Sequence, residues 1–327
     1  FGVLGDYFQE ERLRLAFTFQ SKYLGMSPWE CPAAFAILSY VEHAFGVYHV
    51  MGGLSRISQG LARAAGQLGA SIRLESPVKQ LTIEGKDAVG VELASGERVA
   101  CDEVVINADF GHAMTTLMPS GALRKYSPRR VENMRYSCST FMLYLGLDKL
   151  YDMPHHTIVF PTDYRGNVDD IFVRGRIPEG RAMYIRNASV TDPDLAPQGH
   201  SAVYVLVPVP NLAADINWSQ EKAPYRDMVL DRIAASTCMS DIRSHIREEL
   251  VLTPQDWQTQ YDVFLGATFN LAHTLGQMLY FRPHNAFDEL NHCYLVGGGT
   301  HPGSGVPTIL ESGRIAADLI TARYGMA

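Results

Sequence analysis

The 327 residues predict an α/β plus α+β protein, in which a mixed α+β domain interrupts a sheet domain that also carries a β-meander. Three observations carry this reading. Two short apolar stretches, at 102–109 and 294–296, read as buried strands that end in polar or glycine-rich loops, as parallel strands do at a ligand edge. Between 71 and 100 the hydrophobic period switches from helical to two. From about 113 to 290 the chain changes character and alternates strands with proline-rich turns. The divisions expected are 1–50, helical; 51–112, a sheet-domain segment with the meander; 113–289, the inserted domain; and 290–327, the returning sheet-domain segment.

Each element has its own warrant. Residues 6–24 read as a helix, with Glu10 and Arg14 one turn apart and stops at Gly25 and Pro28. A strongly apolar helix follows at 32–45, suited to a core or to a greasy substrate wall. Glu42 and His43 interrupt it, either as an exposed edge or as buried groups with displaced pKa values. The helix expected at 53–68 puts Leu54, Ile57, Leu61, Ala64 and Leu68 on one stripe, keeps Arg56, Gln59 and Arg63 off it, and ends at Gly69. Residues 71–74, 78–83, 88–93 and 98–100 form the meander, with turns at 84–87 and 95–96. In the inserted domain, strands fall at 140–147, 157–160, 182–186 and 201–207, and helices at 223–239 and 241–250. The final helix, 308–324, sets Ile309, Gly313, Ala316 and Ile320 on one face, and Gly313 there implies close helix-to-sheet packing.

Bulk properties narrow the partners. A chain that is 46% hydrophobic and 19% charged is ordinary for a globular protein. Its net charge of −7 argues against nucleic acid as the natural partner. The basic run Arg124-Lys125 with Arg129-Arg130 is solvated surface or a lipid-headgroup contact. Five widely spaced cysteines without a C-x-x-C pair read as free thiols in a reducing, cytoplasmic compartment, with no zinc site. No apolar run reaches the length needed to span a bilayer. The chain opens at Phe1 inside sequence that already looks structured, so it is expected to begin partway through a longer gene product. The pair His155-His156 resembles a metal signature only superficially, because neighbours on a strand point to opposite faces; no metal is expected.

The densest signal is Tyr294-Leu-Val-Gly297-Gly-Gly-Thr300-His-Pro-Gly303-Ser-Gly305-Val-Pro-Thr308, a strand, a glycine-dense loop and a helix start. Backbone N–H groups there can approach a ligand with little side chain in the way. The G-x-G-x-x-G fingerprint of a dinucleotide site is absent from these residues.

Together with Arg12 to Phe17, Phe45-Gly46-Val47 leading to Gly52-Gly53, Ser76-Pro77-Val78, Asn107-Ala108-Asp109, His155-His156-Thr157, Val190-Thr-Asp192, Tyr204 to Pro210 and Phe281-Arg-Pro-His-Asn285, this loop resembles bacterial-type phytoene desaturases. These are FAD-dependent carotenoid desaturases related to amine oxidases, and the resemblance covers their C-terminal two-thirds. It implies a discontinuous Rossmann-like FAD domain whose pyrophosphate-gripping first part precedes Phe1, with an inserted substrate domain. By this resemblance Val78 sets its backbone against the adenine and Asn107, Ala108 and Asp109 lie near the domain crossover. Gly298, Gly299, Thr300, Gly303, Gly305, Val306, Pro307 and Thr308 run beside the ribityl chain and the isoalloxazine ring. A helix starting near Pro307 would face the negative charge of a reduced flavin with free N–H donors and a positive dipole end.

The implied reaction removes two hydrogens from a saturated C–C bond of a long polyene, with hydride passing to the flavin. A carotenoid has no polar handle, so apolar surface must recognise it; candidate walls are Phe35, Ile37, Leu38, Phe141, Leu143, Tyr144, Phe264 and Phe269, each of which is otherwise ordinary core. His301 is the first candidate for a chemical role, and His284 with Arg282 comes next; alternatively Arg282 and Asn285 pin the loop. The resemblance further implies peripheral membrane contact, and the fragment alone is expected to hold FAD weakly and to be inactive. Other readings are a carotenoid-active flavoprotein of another kind (a desaturase of hydroxylated carotenoids, an isomerase or a ketolase), or a lipid-binding or assembly module without catalysis.

Overall fold

The computed structural model describes residues 1–326. Its strands are β1 (Val78–Glu84), β2 (Asp87–Leu93), β3 (Arg98–Ala100), β4 (Val104–Ile106), β5 (Ser139–Leu147), β6 (His156–Val159), β7 (Met183–Asn187), β8 (Ser201–Val209), β9 (Ile246–Leu252) and β10 (Cys293–Leu295). Its α-helices are α1 (Glu11–Phe17), α2 (Ile37–Phe45), α3 (Ser55–Gln67), α4 (Phe110–His112), α5 (Pro128–Glu132), α6 (Tyr164–Asp169), α7 (Trp218–Ser236), α8 (Ile242–His245), α9 (Pro254–Tyr261) and α10 (Val306–Arg323). They divide into two bodies, one made of residues 1–40, 74–137 and 258 onward, the other of 41–73 and 138–257. These boundaries differ from the expected ones: the first 40 residues, 113–137 and the chain after 258 go with the glycine loop, and α3 goes with the large sheet.

In the second body the alternation of apolar residues does most of the work. Five antiparallel strands stand in the order β6-β7-β8-β5-β9. Phe141, Leu143, Leu145 and Leu147 of β5 and Val203, Val205, Val207 and Val209 of β8 share one face, and all are buried in a cluster with Tyr225, Val229, Leu230 and Ile233 of α7. Phe141 meets Tyr225 edge-on at 4.8 Å between centroids, a geometry that adds about 0.5–1.5 kcal/mol to the burial itself. Of the intervening residues, which face the other way, Tyr144, Tyr204 and Leu206 stay partly exposed, whereas Thr140, Met142 and Pro208 are buried.

Two expectations fail in this body. The helix expected at 241–250 stops after one turn, and β9 runs antiparallel to β5 with Leu252 opposite Met142. Pairing with the free edge of β5 satisfies a whole ladder of N–H and C=O groups, which outweighs the helical preference of Arg247-Glu248-Glu249, worth at most about 0.7 kcal/mol per residue. Helix α3 forms and ends where Gly69 adopts φ +91°, but its apolar stripe is open: Leu54, Leu61 and Leu68 are 59%, 54% and 88% exposed. After it, 71–74 is irregular and bends at Leu74, with no ladder among the described residues.

The first body contains the meander, β1-β2-β3, and a parallel pair, β4 with β10. Asn291, just before β10, accepts from Ala88 N–H at 3.1 Å and donates to Lys86 O at 2.8 Å, tying the pair to the meander. Leu81, Val104, Ile106, Phe110, Leu271 and Leu295 form its core. The helix expected at 6–24 is broken: α1 ends at Phe17, and a 3₁₀ segment, Phe19–Leu24, follows. Thr18 and Ser21 hydroxyls each donate to a main-chain carbonyl three residues back, at 2.7 Å, which competes with the α-helical ladder. Gly313 is also corrected. An added Cβ there meets nothing within 4 Å, because the buried stripe of α10 runs through Ser312 and Ala316 instead. All five cysteines are free thiols. Among the described residues no helix is long and apolar enough to cross a membrane.

Candidate functional site

Because β4 and β10 are parallel and in register, their C-terminal ends deliver two loops side by side. Val296 N–H extends the ladder to Ile106 O at 2.9 Å, and the next residues are Asn107 and Gly297. Gly297 has φ +102°, and a Cβ there would stand 3.0 Å from Asn107 Oδ1, so glycine is required. Gly299 is boxed in by Phe110 and by Asn270 Oδ1, 2.6 Å from its missing Cβ. The chain then enters the 18-residue α10 through Gly305, at φ 115°, with no side-chain cap. Thr308 Oγ1 lies 2.8–3.1 Å from the carbonyls of Gly303, Ser304 and Gly305 and donates its one proton among them, which shapes the turn but leaves the amides of Val306 and Thr308 to an incoming acceptor. Gly305, Val306 and Pro307 are exposed. The site therefore presents a bare, positive helix end beside a ledge of glycines.

The other expected residues divide between contact and support. Thr300 is fully buried and its hydroxyl donates to Pro283 O at 2.6 Å. Asp109 caps α4 through His112 N–H and also accepts from Phe264 N–H and Asn270 Nδ2, so its carboxylate orders three segments; burial raises its pKa. Ala108 is half-buried between Asn107 and Asp109. Val78 opens β1, on a separate sheet from the loop. His301 has its N–H on Pro283 O at 2.8 Å and its carbonyl on Asn285 Nδ2 at 3.1 Å, while its half-buried imidazole makes no hydrogen bond among the described residues. Asn285 Nδ2 also reaches Leu295 O and Ser312 O, joining β10, the loop and α10. His284 is exposed and bonds Tyr280 O.

Of two residues behind the loop, Arg282 pins it, which is one of the two roles the sequence offered, and His273 escaped sequence reasoning. Arg282 is 1% exposed and donates to Gly298 O and Thr300 O. His273 is 3% exposed, accepts Ser304 N–H on Nε2 at 3.3 Å and meets the edge of Phe35. Burial, then the charge of Arg282, pushes its pKa down to about 3. Nothing in the local pattern around His273 marks it, since its neighbours come from segments some 30 and 240 residues away.

The expected apolar walls also separate. Phe141 and Leu143 are core under α7, and Phe264 and Phe269 are packed against Gly111 and Gly25. Ile37 and Leu38 lie on α2, whose Ile37 is 59% exposed. Phe35 lines a pocket of about 370 Å³ with Phe1, Phe17, Trp29 and Pro32. Tyr144 lines a groove of about 730 Å³ on the open face of the large sheet, with Met142, Tyr204, Leu206, Leu250 and Leu54. At that groove Arg186 donates to His49 Nδ1 at 3.0 Å and to His155 Nε2 at 3.2 Å. Guanidinium only donates, so the His49 proton sits on Nε2, toward Asp192 at 2.9 Å, and that of His155 sits on Nδ1, toward Thr191. Burial, then the charges of His156 and Arg186, pushes the His155 pKa down to about 4. The two neighbouring histidines do not point to opposite faces: their rings are 4.3 Å apart, with Nδ1 of His155 turned to Thr191 and Nδ1 of His156 to Tyr184.

A glycine-rich loop at the C-terminal ends of a parallel pair, running into an uncapped helix end, is a place built to meet the acceptor atoms of a cofactor. The profile of flavin-containing amine oxidoreductases matches residues 2–321, and the chain belongs to that family. It is 54% identical over 324 residues to a 4,4'-diapophytoene desaturase (4,4'-diapolycopene-forming) of Methylomonas sp., covering 99% of this chain and 63% of that protein. It is 40% identical over 329 residues to an all-trans-zeta-carotene desaturase of Myxococcus xanthus, covering 98% and 61%. The chain thus spans about three-fifths of the length of these relatives. A crystal structure of an oxidoreductase from Methanosarcina mazei superposes with a TM-score of 0.62 at 16% identity, covering 97% of this chain and 67% of that one, which shows a shared fold. The residues present suit a flavin at the helix end: Gly305 is exposed with no side-chain cap over it, and the amides of Val306 and Thr308 have no acceptor among the described residues.

Proposed function

We propose that this chain is the larger part of an FAD-dependent carotenoid desaturase that introduces C=C bonds into a long polyene hydrocarbon. The observation that carries the reading is the loop from Gly297 to Thr308, delivered by β10 beside Asn107 and opening into an uncapped α10. The names of the similar proteins support the choice of substrate. The cofactor would supply the electron sink for hydride removal. In this reading Gly298 and Gly305 lie open to it, Gly299 and Gly303 let the loop close on Phe110, Asn270 and His273, and the amides of Val306 and Thr308 meet negative charge that develops on it. Thr300, Asn285 and Asp109 hold the ledge in place; His301 flanks it. The groove lined by Tyr144, Tyr204, Met142, Leu206 and Leu250 takes the hydrocarbon by shape and apolar area and keeps water away from it.

The Rossmann-like segment that grips the pyrophosphate is proposed to lie outside these residues. The relatives' greater length supports this, and so does the parallel pair itself: Val105 of β4 is 47% exposed, whereas parallel strands are normally covered on both faces. The open stripe of α3 fits the same account. Peripheral membrane contact is proposed through the exposed run Leu275, Leu279, Tyr280 and Phe281, which are 64–78% exposed. Expression of the complete reading frame in cells that accumulate the saturated precursor, with chromatography of the pigments, tests the reading. Pigments with added double bonds are expected; oxygenated or merely isomerised carotenoid would refute it.

A further inference from the structure

Arg282 is among the largest fully buried side chains, and among the described residues no acid balances it. Its donors go to Thr300 O at 3.0 Å, Gln277 O at 3.2 Å, Leu271 O at 3.4 Å and Gly298 O at 2.5 Å, all main-chain carbonyls. Among the described residues no carboxylate pairs with it, and burial alone pushes its pKa down to about 10, still far above neutrality. The imidazole beside it adds no charge, since His273 accepts on Nε2 and is held unprotonated. One positive charge therefore stays sealed behind the loop. Taking a charge out of water is costly, and even a buried ion pair can often be replaced by packed apolar residues without loss, so a lone buried guanidinium calls for a reason. Four carbonyl dipoles offset only part of that cost.

The direction in which the charge acts can be read from its acceptors. Two of the four carbonyls, those of Gly298 and Thr300, belong to the glycine loop. A cation on a carbonyl oxygen polarises the peptide and strengthens the N–H across the same C–N bond as a donor. For Thr300 that N–H is His301's, already given to Pro283 O at 2.8 Å. For Gly298 it is Gly299's, which has no acceptor among the described residues. The field of the guanidinium is thus transmitted into the ledge.

We propose that Arg282 is a positioning residue for the cofactor's charge: a fixed cation, acting through the glycine loop, whose counter-ion is the anionic form a flavin takes on accepting two electrons and one proton. This rests on the assignment of the loop to the flavin. The protein then binds reduced flavin more tightly than oxidised flavin, which favours hydride removal from an unactivated hydrocarbon. The charge balance is one to one: the acquired anion adds one negative charge, and Arg282 supplies one positive.

The test uses the flavin-loaded protein from its complete reading frame, with Arg282→Gln and Arg282→Lys compared with wild type. The readouts are the midpoint potential of the bound flavin, the dissociation constant of its sulfite adduct and the urea unfolding midpoint. Arg282→Gln is expected to cut the preference for reduced over oxidised flavin at least tenfold, about 30 mV more negative for a two-electron couple. Sulfite binding should weaken by a similar factor. Arg282→Lys, which keeps the charge, should stay within threefold of wild type on both. A merely structural pin would lower both unfolding midpoints and leave the potential unchanged, and that result overturns the proposal. If Arg282→Gln does not fold, the wild type decides alone: its midpoint is expected above that of free FAD in the same buffer, and a value at or below it overturns the proposal. A protein that purifies without flavin would instead sink the assignment of the loop.

Discussion

Gly299→Ala isolates the steric demand of the glycine ledge. Gly299 does not have a positive φ, so alanine is conformationally allowed and only space is at issue. Its Cβ would overlap Phe110 Cβ and stand 2.6 Å from Asn270 Oδ1. Neither neighbour yields easily. Phe110 is 1% exposed in the core of its body, and Asn270 is held by Leu271 N–H at 2.8 Å and by its own donation to Asp109 at 2.6 Å. Overpacking of this kind costs about 1–3 kcal/mol, and displacing Asn270 forfeits a hydrogen bond of roughly 1 kcal/mol, so a loss of about 2–4 kcal/mol is expected. Urea unfolding followed by tryptophan fluorescence and far-ultraviolet circular dichroism measures it. A loss below about 0.5 kcal/mol, within the range of a neutral surface change, would refute the packing argument.

Gly313→Ala should do the opposite: with open space around it in mid-helix, it is expected to stabilise by about 1 kcal/mol, and a destabilised variant would mean that the glycine has a neighbour after all. Acid should weaken the protein through His273. Its folded pKa of about 3 lies below the ordinary 6.5, so the unfolded chain binds the extra proton and stability falls as pH drops through that window, by roughly 1.4 kcal/mol per pH unit. His273→Gln should flatten that slope in unfolding curves between pH 6 and pH 4, and an unchanged slope would count against it. Tyr144→Asp, half-exposed in the sheet groove, should leave the unfolding midpoint nearly unchanged and cut pigment conversion at least tenfold; undiminished conversion would remove the groove from the substrate path.

What could be read in the sequence depended on how local each signal was. The alternation Phe141-Met-Leu-Tyr144-Leu and its partner Val203-Tyr-Val-Leu-Val207 declares strands with one buried face, and the structure bears it out. The loop after Tyr294 was legible for the same reason, because glycines, Pro307 and the helix that follows are contiguous. Strand β9 was not. Its residues favour a helix, and only β5, a hundred residues earlier, makes them a strand. Gly313 misled because its spacing from Ile309 and Ala316 suits a helix face, while the packed line lies one residue away, on Ser312 and Ala316. His273 and Arg186 gain their meaning from partners distant in sequence, and a single histidine or arginine announces nothing of the kind.

Strand β9 has a further consequence. It ends the five-stranded sheet, pairs on one side only with β5, and carries Arg247, Glu248 and Glu249 exposed in succession. Arg226 of α7 holds Glu249 through two nitrogens, at 2.8 and 2.9 Å. A second chain adding to this edge would have to crowd that charged run, so the acidic residues that looked like helix formers disfavour pairing through β9.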